Sequence, residues 1–319
     1  MKLASTRRYA LAVLFCAATA CPAAAQWPNR PITLTVAFAA GGVTDGVARK
    51  IAAELGKSLS QDIVVENKGG AGGGLAAMAT VRAAPDGYSL LFASSGPAAL
   101  NKLIYKKLAY DPEKDLTPIV LVGFIPQVIA AKPTLPVSNL KEFVEYSKKN
   151  QGKMTFGNSG IGTTSQIAAV WFARATGIEA THVAYRGTAP LVNDVMGGQI
   201  DAGFPGFFPQ TTSLKILAVT SDKRIEALPD VPTVLETGLA DLTSGLWFGL
   251  MGPANLPRPI VDRINQIVND YLKTDDAKAI AKVLGMRIMG GTPEAMRDLA
   301  ANEIKRLRPI VEEAKISVD

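Results

Sequence analysis

Two stretches concentrate the residue types that could do chemistry, "AFAAGGVTD" at 37–45 and "FGNSGIGTTS" at 156–165. Each joins an apolar run through phenylalanine and a glycine turn to an amphipathic helix, and more than a hundred residues separate them. Gly41 and Gly42 permit positive φ and keep side chains clear, so successive amides can converge on a point. Thr44 or Asp45 then caps the helix, whose first turn offers unpaired N–H groups and the positive end of the peptide dipoles. That is a seat for a carboxylate or another anion. In the second stretch Gly157, Gly160 and Gly162 take the backbone part, while Ser159, Thr163, Thr164 and Ser165 add hydroxyls.

Bond chemistry finds less support. "GGGLAA" at 72–77 fits a dinucleotide turn, but Ser94 and Ser95 stand where an acid should hold the ribose. "LGKS" at 55–58 lacks the earlier glycine of a phosphate loop, Ile51 taking its place. Ser159 has Gly157 before it but Ile161 after it, which breaks the nucleophile-elbow pattern. The single histidine, His182, lies in an apparent strand and reads as a structural or rim residue. Neither a metal nor a cofactor is expected.

The elements that must position these loops alternate in type. Ten β-type runs, from "ITLTVAF" to "LWFGLMG", are interleaved with helices at 45–57, 75–83, 139–149, 164–176 and 190–196. Such alternation predicts parallel sheets covered by helices. Val47, Ala48, Ile51, Ala52 and Leu55 form one apolar stripe that seats the first helix. Beyond residue 253 the chain reads as helical, its last helix capped by Thr292 with Pro293 at the first position and a kink expected at Pro309. In open α/β sheets ligands sit outside the carboxyl ends of the strands, so two loops on two domains make a cleft.

Residues 1–25 read as a secretory signal peptide: Lys2, Arg7 and Arg8, an apolar stretch to Ala20, and "PAAAQ" as the cleavage site. Both cysteines, Cys16 and Cys21, lie within it, which leaves a thiol-free mature chain for an oxidising compartment. Acylation of Cys21 is disfavoured because Ala18 stands where a larger aliphatic is usual. With three basic residues in the leader, 31 basic stand against 28 acidic ones, a net +3. There is no basic run with interleaved aromatics, so nucleic acid is not an expected partner.

The segments "VAFAAGGVTDGVARKIAAEL", "IVVENKGGAGG", "AAPDGYSLLFASSG", "LAYDPEKDLTPI", "HVAYRGTAPLVNDVMGGQID", "LAVTSDKRIEALPDVPTVLETG" and "WFGLMGPANLP" resemble, in order and spacing, the Bug family of extracytoplasmic receptors of tripartite tricarboxylate transporters. The resemblance runs from about Trp27 to the C-terminus. It implies a monomeric periplasmic α/β protein of the two-domain type II binding-protein fold, closing like a flytrap on a small carboxylate and docking on a membrane permease. The expected domains are 26–125 with 244–319, and 126–243, joined near "GFIPQV" and "TSGLWF". Carried over by position, ligand contacts would come from Phe38, Ala39, Ala40, Gly41, Gly42, Thr44, Asp45, Ser94 and Ser95 in the first domain. The second would supply Ser159, Gly160, Gly162, Thr163, Thr164 and Tyr185, with Phe204, Pro205 and Gly206 toward the outer end. Asp45 reads equally as a cap, and Phe38 and Phe204 equally as packing.

Some positions depart from the family pattern. Gln166 replaces a common histidine, Ala184 a proline and Arg186 a lysine, while Pro205 and Gly206 stand where a polar residue commonly meets the ligand's far end. The ligand class stays open among di- and tricarboxylates, amino-dicarboxylates and aromatic acids. A secreted α/β enzyme acting on a carboxylate and the periplasmic partner of a two-component sensor would use the same cleft.

Overall fold

The computed structural model describes residues 27–38, 40–41 and 43–318; the expected signal peptide, with Cys16 and Cys21, and the site residues Ala39 and Gly42 lie outside them. Among the described residues eleven strands form two sheets. The first contains β1 (Ile32–Val36), β2 (Ile63–Asn67), β3 (Ser89–Ser94), β4 (Leu116–Pro126), β10 (Gly245–Pro253) and β11 (Arg287–Ile288), in the order β11-β4-β10-β3-β1-β2. The second contains β5 (Val128–Ala131), β6 (Met154–Asn158), β7 (Ala180–Ala184), β8 (Ala202–Gly203) and β9 (Lys215–Val219), in the order β7-β6-β8-β5-β9.

The sheets are mixed, which corrects the parallel expectation. β1 pairs in parallel with β2 and β3, and β6 with β7 and β8. The long strand β10 runs antiparallel to both β3 and β4, and β5 runs antiparallel to β8 and β9. The physical reason is the route of the chain: it leaves the first sheet through β4, enters the second one residue later at β5, and returns through β10. Outgoing and returning strands placed side by side must be antiparallel.

Helix α1 (Val43–Leu59) buries Val47, Ala48, Ile51, Ala52 and Leu55 in one core with Leu34, Val36, Leu90 and Phe92, as its apolar stripe requires. Helix α2 (Gly74–Val81) follows β2, and helical turns Gly96–Leu100 and Asn101–Ile104 follow β3. The second sheet is covered by α3 (Leu140–Lys149), α4 (Thr164–Thr176) and α5 (Thr188–Met196). Phe143, Phe156, Phe172 and Phe204 meet there with ring centroids 5.5–6.4 Å apart, at the separations favoured by aromatic pairs. Helices α6 (Arg258–Leu272), α7 (Asp275–Val283) and α8 (Pro293–Glu313) complete the chain. Helix α8 runs through Pro309 and reaches across to the second lobe, where Leu307 and Val311 join Leu100, Ile104 and Ile167 in a cluster shared by both lobes.

Candidate functional site

Helix α1 begins at Val43, one residue before Thr44 and two before Asp45. Asp45 therefore lies in the first turn and acts backwards, not as the preceding cap expected from sequence. Its carboxylate accepts from the Gly41 N–H at 2.9 Å, from Arg49 Nε at 3.0 Å and from Asn67 Nδ2 at 2.9 Å. The Arg49 guanidinium, helped by these amides, holds its pKa down to about 2 although burial opposes the charge. Asn67 Nδ2 also donates to the Phe38 carbonyl at 3.0 Å, so the loop is fixed from below. Gly41 has φ +81°, a conformation that favours glycine. Ala40 and Gly41 are exposed, whereas Thr44 and Asp45 are buried.

At the end of β3, Ser94 and Ser95 are fully buried and their hydroxyls have no partner in the protein. A third loop, which sequence reasoning had set aside with "GGGLAA", stands at the same edge of the sheet. Gly70, Ala71, Gly72 and Gly73 all have positive φ. Asn101 Nδ2 donates to the Gly72 carbonyl at 3.3 Å, and a side chain at Gly73 would meet Pro97 Cγ at 2.8 Å. The signal was in the run of glycines; the dinucleotide test addressed only one use of it.

The second-lobe loop is held by its own hydrogen bonds. Asn158 Oδ1 accepts from Gly160 N–H at 3.1 Å, Ser165 Oγ from Ser159 N–H at 2.9 Å, and Gln166 Oε1 from Gly162 N–H at 2.7 Å. Thr163 caps α4 by accepting from Gln166 N–H at 3.3 Å and donates to the Gly160 carbonyl at 2.7 Å. The amides expected to converge on an anion are thus engaged within the loop. What stays uncommitted is Asn158 Nδ2, which is buried without an acceptor. Gly160 and Gly162 carry φ of +139° and +77°. Gly157 is needed for space instead, since a side chain there would meet Leu191 and Ile200 at 2.4 Å.

Tyr185 packs beside Gly157 with its hydroxyl on Asp194 Oδ2 at 2.8 Å, and burial with that carboxylate pushes it up to about 12. The Tyr185 and Gly187 amides donate to the carbonyls of Asn158 and Ser159 at 2.9 and 3.1 Å, fastening the exposed Arg186 beside the loop. Ser159 Oγ lies 3.2 Å from Thr188 Oγ1, and Thr164 Oγ1 accepts from Gln127 Nε2 at 2.7 Å. Phe204 takes the packing role: its side chain is fully buried among the second-lobe phenylalanines and its carbonyl accepts from Ser165 Oγ at 2.5 Å. The Pro205 carbonyl accepts from Val128 N–H at 2.9 Å and Gly206 bridges to Gln127, so this segment lies against the outgoing crossing. His182 meets Phe156 edge-on at 6.1 Å, with its pKa lowered by burial.

The loops of the two lobes adjoin. A side chain at Gly162 would meet Ile104 Cγ2 at 3.0 Å, which sets the second loop against the helical turn that follows Ser95. Among the described residues no cluster of His, Cys, Asp and Glu could hold a metal ion. A surface cavity of about 610 Å³ lies elsewhere, between α1 and β2 around Ala52, Gly56 and Ile63.

Two α/β lobes joined by adjacent crossing strands, with glycine loops and buried neutral donors at the strand ends, define a two-lobe solute-binding protein of the periplasmic type. Residues 47–316 match the model of the tripartite tricarboxylate transporter family receptor. The chain belongs to that family. Protein BugT of Bordetella pertussis is 32% identical, with 97% of each chain covered. A protein of R. palustris, solved with adipate, is 30% identical with a TM-score of 0.82, covering 92% of this chain and 100% of its own. MatC of Rhodopseudomonas palustris, solved with bound malate, is 33% identical with a TM-score of 0.77, covering 89% and 100%.

Proposed function

We propose that this receptor captures a small carboxylate between its lobes and, once closed on it, docks on a membrane permease. The observation that carries the reading is the set of buried neutral donors without protein acceptors at the strand ends of both lobes: the hydroxyls of Ser94 and Ser95 and the amide of Asn158. Buried donors of this kind call for an acceptor from outside the chain. Solved relatives that hold adipate and malate support a dicarboxylate as that acceptor. Ligand contacts from Phe38, Ala39, Ala40, Gly41, Gly42, Thr44 and Asp45 and from Ser159, Gly160, Gly162, Thr163, Thr164 and Tyr185 belong to the same proposal, as do lobe limits of 26–125 with 244–319 and 126–243, a monomeric state and delivery to the periplasm by the leader. Strand membership supports the limits, because β4 ends at Pro126 and β10 starts at Gly245. A carboxylate touching both lobes binds the closed arrangement better and shifts the lobe equilibrium toward it; four decades of preference move it from 1% to 99% closed. The receptor family favours this over a secreted enzyme.

The test is a thermal-unfolding screen over mono-, di- and tricarboxylates and aromatic acids. Binding at a hundredfold excess over Kd stabilises by about 2.7 kcal/mol and raises the midpoint. At least one dicarboxylate should do so, with heat on titration and without turnover. A flat response across all classes, or consumption of the compound, would sink the proposal.

A further inference from the structure

We propose that Gln127 is a positioning residue that couples the angle between the lobes to the ligand-binding loop of the second lobe. It rests on the receptor reading above. Gln127 is the single residue between β4 and β5, and so the whole of the outgoing crossing. Its main chain is tied to the return route: Gln127 N–H donates to Thr220 Oγ1 at 2.9 Å, and Thr220 N–H donates to the Gln127 carbonyl at 2.9 Å. Thr220 Oγ1 lies 2.6 Å from the Ser244 carbonyl, and Ser244 N–H donates to the Thr220 carbonyl at 2.9 Å, immediately before β10. The two crossings are thereby linked through Thr220, by its hydroxyl and its main chain.

From this knot the Gln127 side chain reaches Thr164 Oγ1 at 2.7 Å, in the first turn of α4 and directly after the Gly160–Thr163 loop. Ser244 Oγ approaches the Thr164 carbonyl at 3.5 Å from the other crossing. The start of the ligand-binding helix is therefore attached to both strands that must twist when the lobes rotate. Gln127 Oε1 is buried without a partner, a cost that methionine of the same length would avoid while filling the same space. The one bond its side chain makes goes to Thr164, which ties the crossing to the loop. A ligand seated on the loop biases the crossing through Thr164, and the crossing biases the loop by the same linkage.

No cysteine follows residue 21, so spin labels can be placed through Lys57→Cys in the first lobe and Lys148→Cys in the second, both exposed. In Gln127→Met the ligand-free unfolding midpoint should fall by no more than the loss of the Thr164 hydrogen bond explains, while the distribution of interlobe distances broadens. Affinity for adipate or malate, whichever the wild type binds, should fall about tenfold, the scale of one lost hydrogen bond. Thr164→Val should broaden the ligand-free distances equally and add little to Gln127→Met, whereas Thr164→Ser should keep the ligand-free distances at the wild-type width; this pair, read without ligand, carries the test should Gln127→Met fail to fold. Wild-type distances and affinity in Gln127→Met would overturn the proposal and leave the receptor reading intact. Should the wild type bind neither compound, the affinity arm uses the best responder of the thermal screen, and the ligand-free distances decide for or against Gln127 whatever becomes of the receptor reading.

Discussion

Asp45 collects three donors on one carboxylate, from Gly41, Arg49 and Asn67, with only 6% of its side chain exposed. A pKa of about 2 against an ordinary 3.8 means that the folded state prefers the ionised form. The contribution, about 2 kcal/mol, is present above the unfolded value near pH 4 and is lost as pH falls toward 2. Asp45→Asn keeps the shape and removes the charge. It should lower stability at pH 7 by about 1–2 kcal/mol and flatten the acid limb between pH 4 and 2, measured by urea unfolding at fixed pH. An unchanged limb would assign the acid sensitivity to other carboxylates. The residue types around both loops were legible in the sequence, but their partners were not. Glycine and hydroxyl spacing cannot say whether an amide waits for a ligand or already meets Gln166 or Ser165 in the same turn, because a side chain four or six residues on supplies the acceptor only once the helix has formed.

At the scale of elements, β10 and α8 are joined by a buried pair: Trp247 Nε1 donates to Glu303 Oε2 at 2.7 Å. Burial raises the Glu303 pKa to about 7 from 4.5, so the native state holds a proton that the unfolded chain releases. Stability from this group is complete below pH 4.5 and is lost as pH rises through 7, by about 3 kcal/mol at most. Glu303→Gln retains an acceptor for Trp247 and has nothing to ionise. It should match wild type at pH 4.5 and exceed it by about 2–3 kcal/mol at pH 8 in urea unfolding; a parallel pH dependence in both proteins would place the titration elsewhere. Periodicity located most elements of this scaffold, including α4 at 164–176. It missed the turns Gly96–Leu100 and Asn101–Ile104, where a proline and small residues mask the period, and β11, two residues that pair only because β4 is beside them. Strand direction was also beyond it, since the antiparallel β10 follows from the route between sheets and not from any local pattern.

In the whole molecule the two lobes have their own sheets but share a hydrophobic cluster. Ile167 of the second lobe is buried among Leu100, Ile104, Leu307, Val311 and Ile316. Around it Arg174 pairs with Glu313, Arg306 bonds Thr243, and the Arg306 guanidinium stands 5.5 Å from the Trp171 ring centre. The exposed ion pair adds little, at most about 1 kcal/mol, so the apolar contacts carry the coupling. A branched side chain fully buried there contributes roughly 2–5 kcal/mol by the usual truncation scale, comparable with much of a domain's net stability. The lobes should therefore unfold together despite two crossings that could serve as a break point. Trp171 reports the second lobe and Trp27 and Trp247 the first, so a variant retaining Trp171 alone and one lacking only Trp171 allow each lobe to be followed separately. Their urea transitions should coincide in the otherwise wild-type protein and separate in Ile167→Ala, where the coupling through this cluster is weakened. Two transitions before the substitution would mean that the lobes are not one cooperative unit, and a single coincident one after it would mean that other contacts and not this cluster hold them together.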